Sequence, residues 1–362
     1  MEEAQEAQEV QEVQEAPAMS IVLKAFWPSA YTEPFHSRFL AYFGALFDHP
    51  DIVRRYDTLE IWSLFGSNAI PMPKSEEEDR VLRVQFSGEG YFYKPALYDL
   101  SLIPALENAA LGIVPHPLAG VHIHTNSLLE LLQRPRVWNE ANHDARRFCS
   151  FVVSNGGPQE RKYFFSRLSD FKTVDSCGRF ARNWTGGAIP DPDSREYLQF
   201  LSKFRFMLCF ENNRVDNYMT EKLINAYVGE SIPIYWGCPQ AAEYLNTDAF
   251  LMLDEKASVE GFERLYNQVV ALENDKEAYK LMYEQPLFRE GATSLPPCMQ
   301  IEALRDCIFR TLGDKLIMPP EPEPEEPEPE EPEEPEEQEL EPEELDPEQK
   351  KEQEEALGWR GL

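Results

Sequence analysis

The chain has 362 residues and a formal net charge of -31, with 65 acidic residues against 34 basic ones. Segments 1–18 and 321–348 together hold 23 acidic residues and no basic one, so the middle of the chain is close to ordinary in charge. No basic face for nucleic acid, no basic leader and no run of the roughly 20 apolar residues that span a bilayer is present, so we expect a soluble cytoplasmic protein without nucleic-acid partners, signal peptide or membrane span.

Composition divides the chain into four predicted segments. Residues 1–18 form an acidic low-complexity head, and residues 318–362 form a Pro/Glu-rich tail that we expect to be disordered and not to bind anionic membranes. The roughly 300 residues between them exceed one ordinary core. We therefore predict two domains, 19–140 and 141–317, with the polar stretch 133–145 at their boundary.

The first predicted domain alternates between strand-like and helix-like runs. In chain order these are a strand in SIVLKAFW, a helix in PFHSRFLAYFGALFD, and strands in TLEIWSLFG and DRVLRVQFSGE. Such alternation is typical of an α/β fold, in which helices cover a parallel sheet.

The second domain repeats the pattern more regularly. It begins with a strand in RRFCSFVVSNGG and continues with a helix in GPQERKYFFSRLSDF, strands in KTVD and KFRFMLCFEN, a helix in YMTEKLINAYV and a strand in SIPIYWG. Consecutive strand-helix-strand units favour a nucleotide-binding α/β layer. Helical periodicity resumes beyond residue 260, in segments that complete this domain or return to brace the first.

Two strand-to-helix junctions of the second domain carry basic residues. Arg161 follows the turn 155–158 (NGGP), and Lys222 lies in the first turn after Thr220, a predicted helix cap. The helix dipole disfavours cations there by a few tenths of a kcal/mol up to about 1 kcal/mol. A bound diphosphate would remove the conflict, and two solvated side chains are the alternative. The neighbouring Glu221 suits ribose hydroxyls.

Neither a P-loop nor a G-x-G-x-x-G motif is present. The runs FCSFVVSNG, VDSCGRF, FMLCFENN and YMTEKLINAYVGESIPIYWGCP resemble the α-1,3/1,4-fucosyltransferases of glycosyltransferase family 10, most closely their soluble bacterial-type members. The similarity covers residues 148–239. It implies a GT-B fold, with two Rossmann-like domains facing each other across a cleft. It also implies inverting transfer of L-fucose from GDP-fucose, without a cofactor or metal, to O3 or O4 of a glycan containing N-acetylglucosamine or a related sugar.

The resemblance also implies roles for particular residues. Five of them correspond to donor-binding positions of the family: Arg161, Asn212, Tyr218, Glu221 and Lys222. Arg161 and Lys222 would contact the diphosphate, and Glu221 the ribose. The general base corresponds to Glu89, in a short F-S-G-E match followed by the aromatic run GYFYKPALYD, which suits a sugar-binding surface. A solvent-exposed loop glutamate is the alternative for Glu89.

Two further functional classes remain open at this point. One is a GT-B transferase that uses a different nucleotide sugar, and the other is a catalytically inactive glycan-binding or scaffold protein. Asp191 and Asp193 have the D-x-D spacing of a metal site, but the stretch AIPDPDS favours a turn. His122 and His124 would share one side of a predicted strand, VHIH, and are interpreted as ordinary polar residues.

The six cysteines form no C-x-x-C pair, so we expect reduced thiols. A disulfide between Cys298 and Cys307 is the alternative.

Overall fold

The computed structural model describes residues 19–26, 33–65, 70–75, 78–253, 255–289 and 295–317. The predictions for the acidic head and for the Pro/Glu-rich tail therefore lie outside the described residues. The strands are β1 (Ser20–Lys24), β2 (Thr58–Trp62), β3 (Val81–Phe86), β4 (Leu100–Ile103), β5 (Ile113–Pro115), β6 (Arg147–Phe151), β7 (Val174–Ser176), β8 (Phe204–Phe210), β9 (Ile232–Trp236) and β10 (Leu251–Met252).

The helices connect these strands and cover the sheets. They are α1 (Glu33–Phe47), α2 (Pro50–Arg55), α3 (Leu118–Thr125), α4 (Leu129–Gln133), α5 (Glu140–Ala145), α6 (Gln159–Ser169), α7 (Arg195–Leu201), α8 (Glu221–Val228), α9 (Ala241–Tyr244), α10 (Val259–Asn274), α11 (Lys276–Tyr283) and α12 (Ile301–Leu312). Short 3-10 helices within the described ranges lie at Pro95–Leu97, Ala109–Leu111, Thr247–Ala249, Pro297–Met299 and Gly313–Leu316.

The first sheet contains β1 to β5 side by side in chain order, and all its strand pairs are parallel. Apolar residues of its strands pack with those of α1 and α12 in one core. Helix α12 thus carries the end of the described chain back onto the first sheet, where Arg305 donates a 2.7 Å hydrogen bond to the Ala45 carbonyl of α1.

The second sheet has the order β10-β9-β8-β6-β7, again with all pairs parallel. All seven residues of β8 are buried, as expected of a central parallel strand with helices on both faces. In this sheet β7 lies on one side of β6, and β8, the next strand along the chain, lies on the other side. The order therefore reverses at β6, and such reversals are where open α/β sheets bind ligands, beyond the carboxyl ends of the strands.

Helices α3 and α8 join the two halves of the molecule. The backbone N–H of Ala119 donates to the Met219 carbonyl at 2.9 Å, and the His122 ring lies 2.7 Å from the Asn225 side-chain oxygen. The predicted two-sheet α/β architecture is confirmed. The boundary between residues 140 and 141 stays a prediction.

The strand predicted for VHIH is wrong, because these residues belong to helix α3. Four residues that alternate between apolar and polar types are too short a run to distinguish a strand from a helix by periodicity. As a consequence His122 and His124 do not share a face, and His124 lies 2.8 Å from the Met299 carbonyl rather than beside Asn225. No helix among the described residues is long and apolar enough to cross a bilayer.

Candidate active site

A cavity of about 510 Å³ lies between the carboxyl ends of the two sheets, within the size range of ligand sites. The first half contributes residues of α1, of the loop after β3 and of α3. The second half contributes residues that follow β6, β7 and β8 and residues from α6, α7 and α8. All six predicted site residues line it: Glu89, Arg161, Asn212, Tyr218, Glu221 and Lys222.

Arg161, in the first turn of α6, forms hydrogen bonds to the end of β8 and to the loop after β6, where the strand order reverses. Its Nε and Nη2 donate to the Phe210 carbonyl at 2.9 and 2.7 Å, and its Nη1 donates to Asn155 O at 3.1 Å and to Asn212 Oδ1 at 2.5 Å. These bonds use four of the five guanidinium N–H groups. Burial lowers the pKa of Arg161, but an arginine keeps its charge in proteins, so a fixed positive charge lies at the cavity wall.

Glu211, directly after β8, is the most deeply buried carboxylate at the site, with no exposed surface. It accepts hydrogen bonds from the Thr220 backbone N–H at 2.8 Å and from the Thr220 hydroxyl at 2.8 Å. Its third partner is Lys222 Nζ at 3.3 Å. Removing one partner of such a buried pair typically costs about 3–5 kcal/mol, because the other charge is left uncompensated.

Glu211 is missing from the residues predicted from the sequence. A carboxylate directly after a strand as apolar as FMLCF is a signal that could have identified it, because acidic residues are almost never buried without a partner. The contact with Glu211 also changes the role predicted for Thr220 as a helix cap. Thr220 occupies the cap position of α8, but its side chain makes no cap bond, and the hydroxyl donates to Glu211 instead.

Lys222 lies between two carboxylates. Its Nζ is 3.3 Å from Glu211 Oε2, 3.3 Å from Glu221 Oε1 and 2.9 Å from the Thr220 hydroxyl. Burial by itself would lower the pKa of Lys222, but Glu211 and Glu221 outweigh burial and raise it. The ammonium is therefore charged at neutral pH.

Glu221 is also ionised at neutral pH, because positive charge lies close to its carboxylate. Burial alone favours its neutral form, but Lys222 and His122 outweigh it and lower the pKa of Glu221 to about 2.

Glu89 reaches the same cavity from the opposite side, in the loop that follows β3. Tyr218 donates its hydroxyl to Glu89 Oε2 at 3.4 Å, which joins the two halves across the cavity. Burial raises the pKa of Glu89 above its ordinary value, and this effect outweighs the opposing influences of Lys222, Tyr218 and Asn212. Glu89 is therefore not a solvated loop glutamate but a half-buried carboxylate.

The loop that carries Glu89 is held by two buried polar side chains. Ser87 Oγ donates to the Tyr91 carbonyl at 2.7 Å, and the Gln85 amide pairs with both backbone groups of Tyr93 at 2.7 and 3.2 Å. Beyond Glu89 the loop exposes Tyr91 (58%) and Phe92 (37%). Two aromatic rings thus lie on a fixed loop beside a carboxylate at the cavity.

Asp191 and Asp193 form the turn that the sequence predicts. The Asp193 N–H donates to Asp191 Oδ1 at 3.0 Å, and Ser194 then caps α7. The Asp193 carboxylate lies 3.6 Å from Arg38 Nη2 and 3.7 Å from His122 Nδ1, so it links the turn to α1 and α3. Within the described residues, no three carboxylate, imidazole or thiol side chains form a group able to hold a metal ion.

All six cysteines are free thiols, and the alternative disulfide between Cys298 and Cys307 is not formed. Burial raises the pKa of Cys177 to about 12 and that of Cys298 to about 11, which disfavours a thiolate nucleophile at either position.

Two parallel sheets with helices on their faces and a shared cavity between their carboxyl ends define a GT-B fold. Solved structures share it. A crystal structure of α1,3-fucosyltransferase with GDP-fucose superposes with a TM-score of 0.60 at 21% identity, covering 85% of this chain and 94% of that chain. A crystal structure of α1,3-fucosyltransferase with GDP also superposes with a TM-score of 0.60. The predicted fold class is confirmed.

Residues 143–285 match the model of glycosyltransferase family 10 (fucosyltransferase), C-terminal domain, and the predicted resemblance is thereby confirmed. The chain is 34% identical over 150 residues to the α-(1,3)-fucosyltransferase FucT of Helicobacter pylori. It is 24% identical over 238 residues to GDP-fucose protein O-fucosyltransferase 3 of Bos taurus. These matches cover 41% and 62% of this chain but only 30% and 48% of the relatives.

Proposed function

We propose that the protein is a fucosyltransferase that moves L-fucose from GDP-fucose to a hydroxyl of an acceptor glycan with inversion at the sugar carbon. The observation that carries this proposal is the shared cavity. Glu89, from the half that holds the first sheet, faces Arg161 and Lys222, from the half that holds the second sheet, across one space of about 510 Å³. A base and two cations so placed match what an inverting transfer from a nucleotide diphosphate sugar needs.

The donor would lie at the strand reversal of the second sheet. There the Lys222 ammonium and the Arg161 guanidinium would neutralise the diphosphate, and the ionised Glu221 would accept hydrogen bonds from ribose hydroxyls. Asn212 and Tyr218 lie between these groups and Glu89 and would contact the sugar end of the donor. The relatives support GDP-fucose as this donor.

In the proposed reaction, the acceptor oxygen forms a bond to the anomeric carbon while the bond from that carbon to the phosphate oxygen breaks. The acceptor proton passes to the Glu89 carboxylate, and the electron pair of the broken bond remains on GDP. Lys222 and Arg161 stabilise the negative charge that develops on the departing diphosphate. Attack from the face opposite GDP inverts the anomeric configuration.

The acceptor would bind beside Glu89 on the first half of the molecule. Tyr91 and Phe92 are exposed there on a fixed loop, and aromatic rings suit the apolar face of a pyranose. The resemblance to α-1,3/1,4-fucosyltransferases favours O3 or O4 of an N-acetylglucosamine-containing or related glycan as the reacting hydroxyl.

The test is incubation of the full chain with a panel of GDP- and UDP-sugars and N-acetyllactosamine, with the products analysed by mass and linkage. We expect a mass increase of one deoxyhexose with GDP-fucose alone. Transfer from a UDP-sugar but not from GDP-fucose would show that the protein is a transferase for a different nucleotide sugar. Absence of transfer from every donor would favour the inactive glycan-binding protein.

A further inference from the structure

Glu211 is fully buried behind Lys222, outside the residues that line the cavity, and no step of the proposed reaction uses it. Its partners share one location: the backbone N–H and hydroxyl of Thr220 and the ammonium of Lys222 all belong to the first turn of α8 and its cap. A fully buried carboxylate is tolerated only when paired and hydrogen-bonded. The carboxylate therefore fixes the position of this helix start relative to the end of β8.

The space for the Glu211 side chain is created by Gly237, which follows β9. A Cβ atom at Gly237 would overlap both Cβ and Cγ of Glu211. The Glu211 backbone N–H also donates to the Trp236 carbonyl at 2.8 Å. The side chain thus comes from a backbone held in the sheet and has little room to move.

The electrostatic consequence falls on Lys222. Its ammonium reaches the cavity wall beside Arg161, a second cation, which by itself disfavours a charged lysine. Glu221 is also 3.3 Å from Lys222, but the proposed function engages Glu221 with ribose, whereas Glu211 has no access to a ligand. Glu211 is the carboxylate that remains available to Lys222 when the donor is bound.

We propose that Glu211 is a positioning residue of the donor site, which holds the Lys222 ammonium charged and in place to bind the diphosphate. This inference rests on the proposed function. It assigns Glu211 no contact with the substrate, because its action passes entirely through Lys222 and the start of α8.

The test compares four full-length proteins: the parent chain, Glu211→Gln, Lys222→Met and the double variant. GDP affinity is measured by calorimetry across a pH series, and KM and kcat are measured with GDP-fucose. For Glu211→Gln we expect GDP affinity to fall at least about tenfold, as loss of a hydrogen bond to a charged group implies. Its alkaline loss of affinity should begin at lower pH, because removing the carboxylate lowers the pKa of Lys222.

The decisive readout is the coupling between the two sites. When Lys222 is already replaced, the Glu211→Gln change should lower GDP affinity much less than in the parent chain. An equal loss in both backgrounds, or an unchanged pH profile, would overturn the inference and leave a structural role for Glu211. If the parent chain itself binds neither GDP nor GDP-fucose, the proposed function fails instead.

Glu273→Gln is the matched control. Glu273 is also a buried, ion-paired carboxylate, 2.6 Å from Arg205 Nη2, but it lies on α10 outside the cavity. We expect its replacement to lower thermal stability without changing GDP affinity. A similar loss of GDP affinity in Glu273→Gln would show that general destabilisation, not positioning of Lys222, explains the Glu211 variant.

Discussion

The hydroxyl of Tyr218 lies 3.4 Å from Glu89 Oε2, although the two residues belong to opposite halves of the molecule. A Cβ atom at Gly90 would lie only 3.2 Å from the Tyr218 ring, so the loop after β3 packs tightly against this tyrosine. The contact places the proposed base within reach of the donor-side wall. The proposed transfer therefore requires the two halves to be assembled as they are here.

Replacing Glu89 by Gln should remove the proton acceptor while retaining the size of the side chain. We expect kcat for transfer to fall by roughly 10²–10⁴-fold, the usual contribution of a general base, with GDP affinity largely retained. Glu130→Gln serves as the control, because the Glu130 side chain is 84% exposed on α4. Wild-type turnover in Glu89→Gln would assign the proton transfer to another group.

The pH profile tests the environment of Glu89. Glu89 acts as a base only when ionised, so transfer should decline as pH falls through its pKa, which burial raises above 4.5. Tyr218→Phe removes a hydrogen bond that lowers this pKa, so the acidic limb should move to higher pH. Lys222 and Asn212 also lower the pKa of Glu89, while Glu221 raises it, and these groups remain in the variant.

Tyr227→Phe is the control for this shift, since it removes a hydroxyl on α8 that bonds to the Gln285 carbonyl away from the cavity. An acidic limb that moves equally in both variants, or moves to lower pH in Tyr218→Phe, would contradict the assignment of that limb to Glu89.

The exposed ring of Tyr91 should contribute to acceptor binding and not to donor binding. We expect Tyr91→Ala to raise the acceptor KM about three- to tenfold, as loss of a stacking contact implies, with an unchanged KM for GDP-fucose. Tyr91→Phe should keep the parent value. Tyr163→Ala, a half-exposed tyrosine on α6 outside the cavity, is the control. A rise in the donor KM alone would place Tyr91 on the other substrate.

Gly178 follows β7 and lines the cavity, and its lack of a side chain is required by packing. A Cβ atom there would overlap the Val153 carbonyl of the neighbouring loop. We expect Gly178→Ala to lower the free energy of unfolding by about 1–3 kcal/mol, the usual cost of overpacking, as measured by urea denaturation. Gly44→Ala on α1 is the comparison, because a Cβ there meets only Ile21 Cδ1 at 3.6 Å.

A helical glycine with room for a methyl group should gain about 0.5–1 kcal/mol when it becomes alanine. The two glycine variants are thus expected to change stability in opposite directions. Equal effects would show that local packing at Gly178 is not the cause.

Much of the second sheet could be predicted from its sequence. Its strands are buried on both faces, so FMLCF and IPIYW are continuous apolar runs between turns and helices, and the cations after two of those strands indicate a ligand site at the carboxyl ends. The short run VHIH was predicted wrongly because its apolar and polar residues alternate as in a strand, and four residues are too few to distinguish that period from a helical one.

The pairing of Glu211 with Lys222 behind the donor-side wall was not predicted from the sequence. Glu211 and Lys222 are separated along the chain by a loop, and Arg161 belongs to another strand-helix unit. Glu211 and Lys222 meet within the junction between β8 and α8. Arg161 reaches them only through the reversal of strand order at β6, which brings the ends of β6 and β8 together, and that order is set by packing between elements rather than by any local pattern.

The amino-acid sequence by itself determined most of the elements, the α/β class and the placement of most acidic charge in the two ends, because these depend on local periodicity and composition. The roles of the donor-side residues came from the resemblance of their motifs to a known family. Only the tertiary structure decided that Glu89 faces Lys222 and Arg161 in one cavity and that Glu211 is buried behind Lys222. The physical reason is that charges interact strongly only within a few ångströms in space. The distances between these charged groups are set by the packing of the two halves, which meet at α3 and α8.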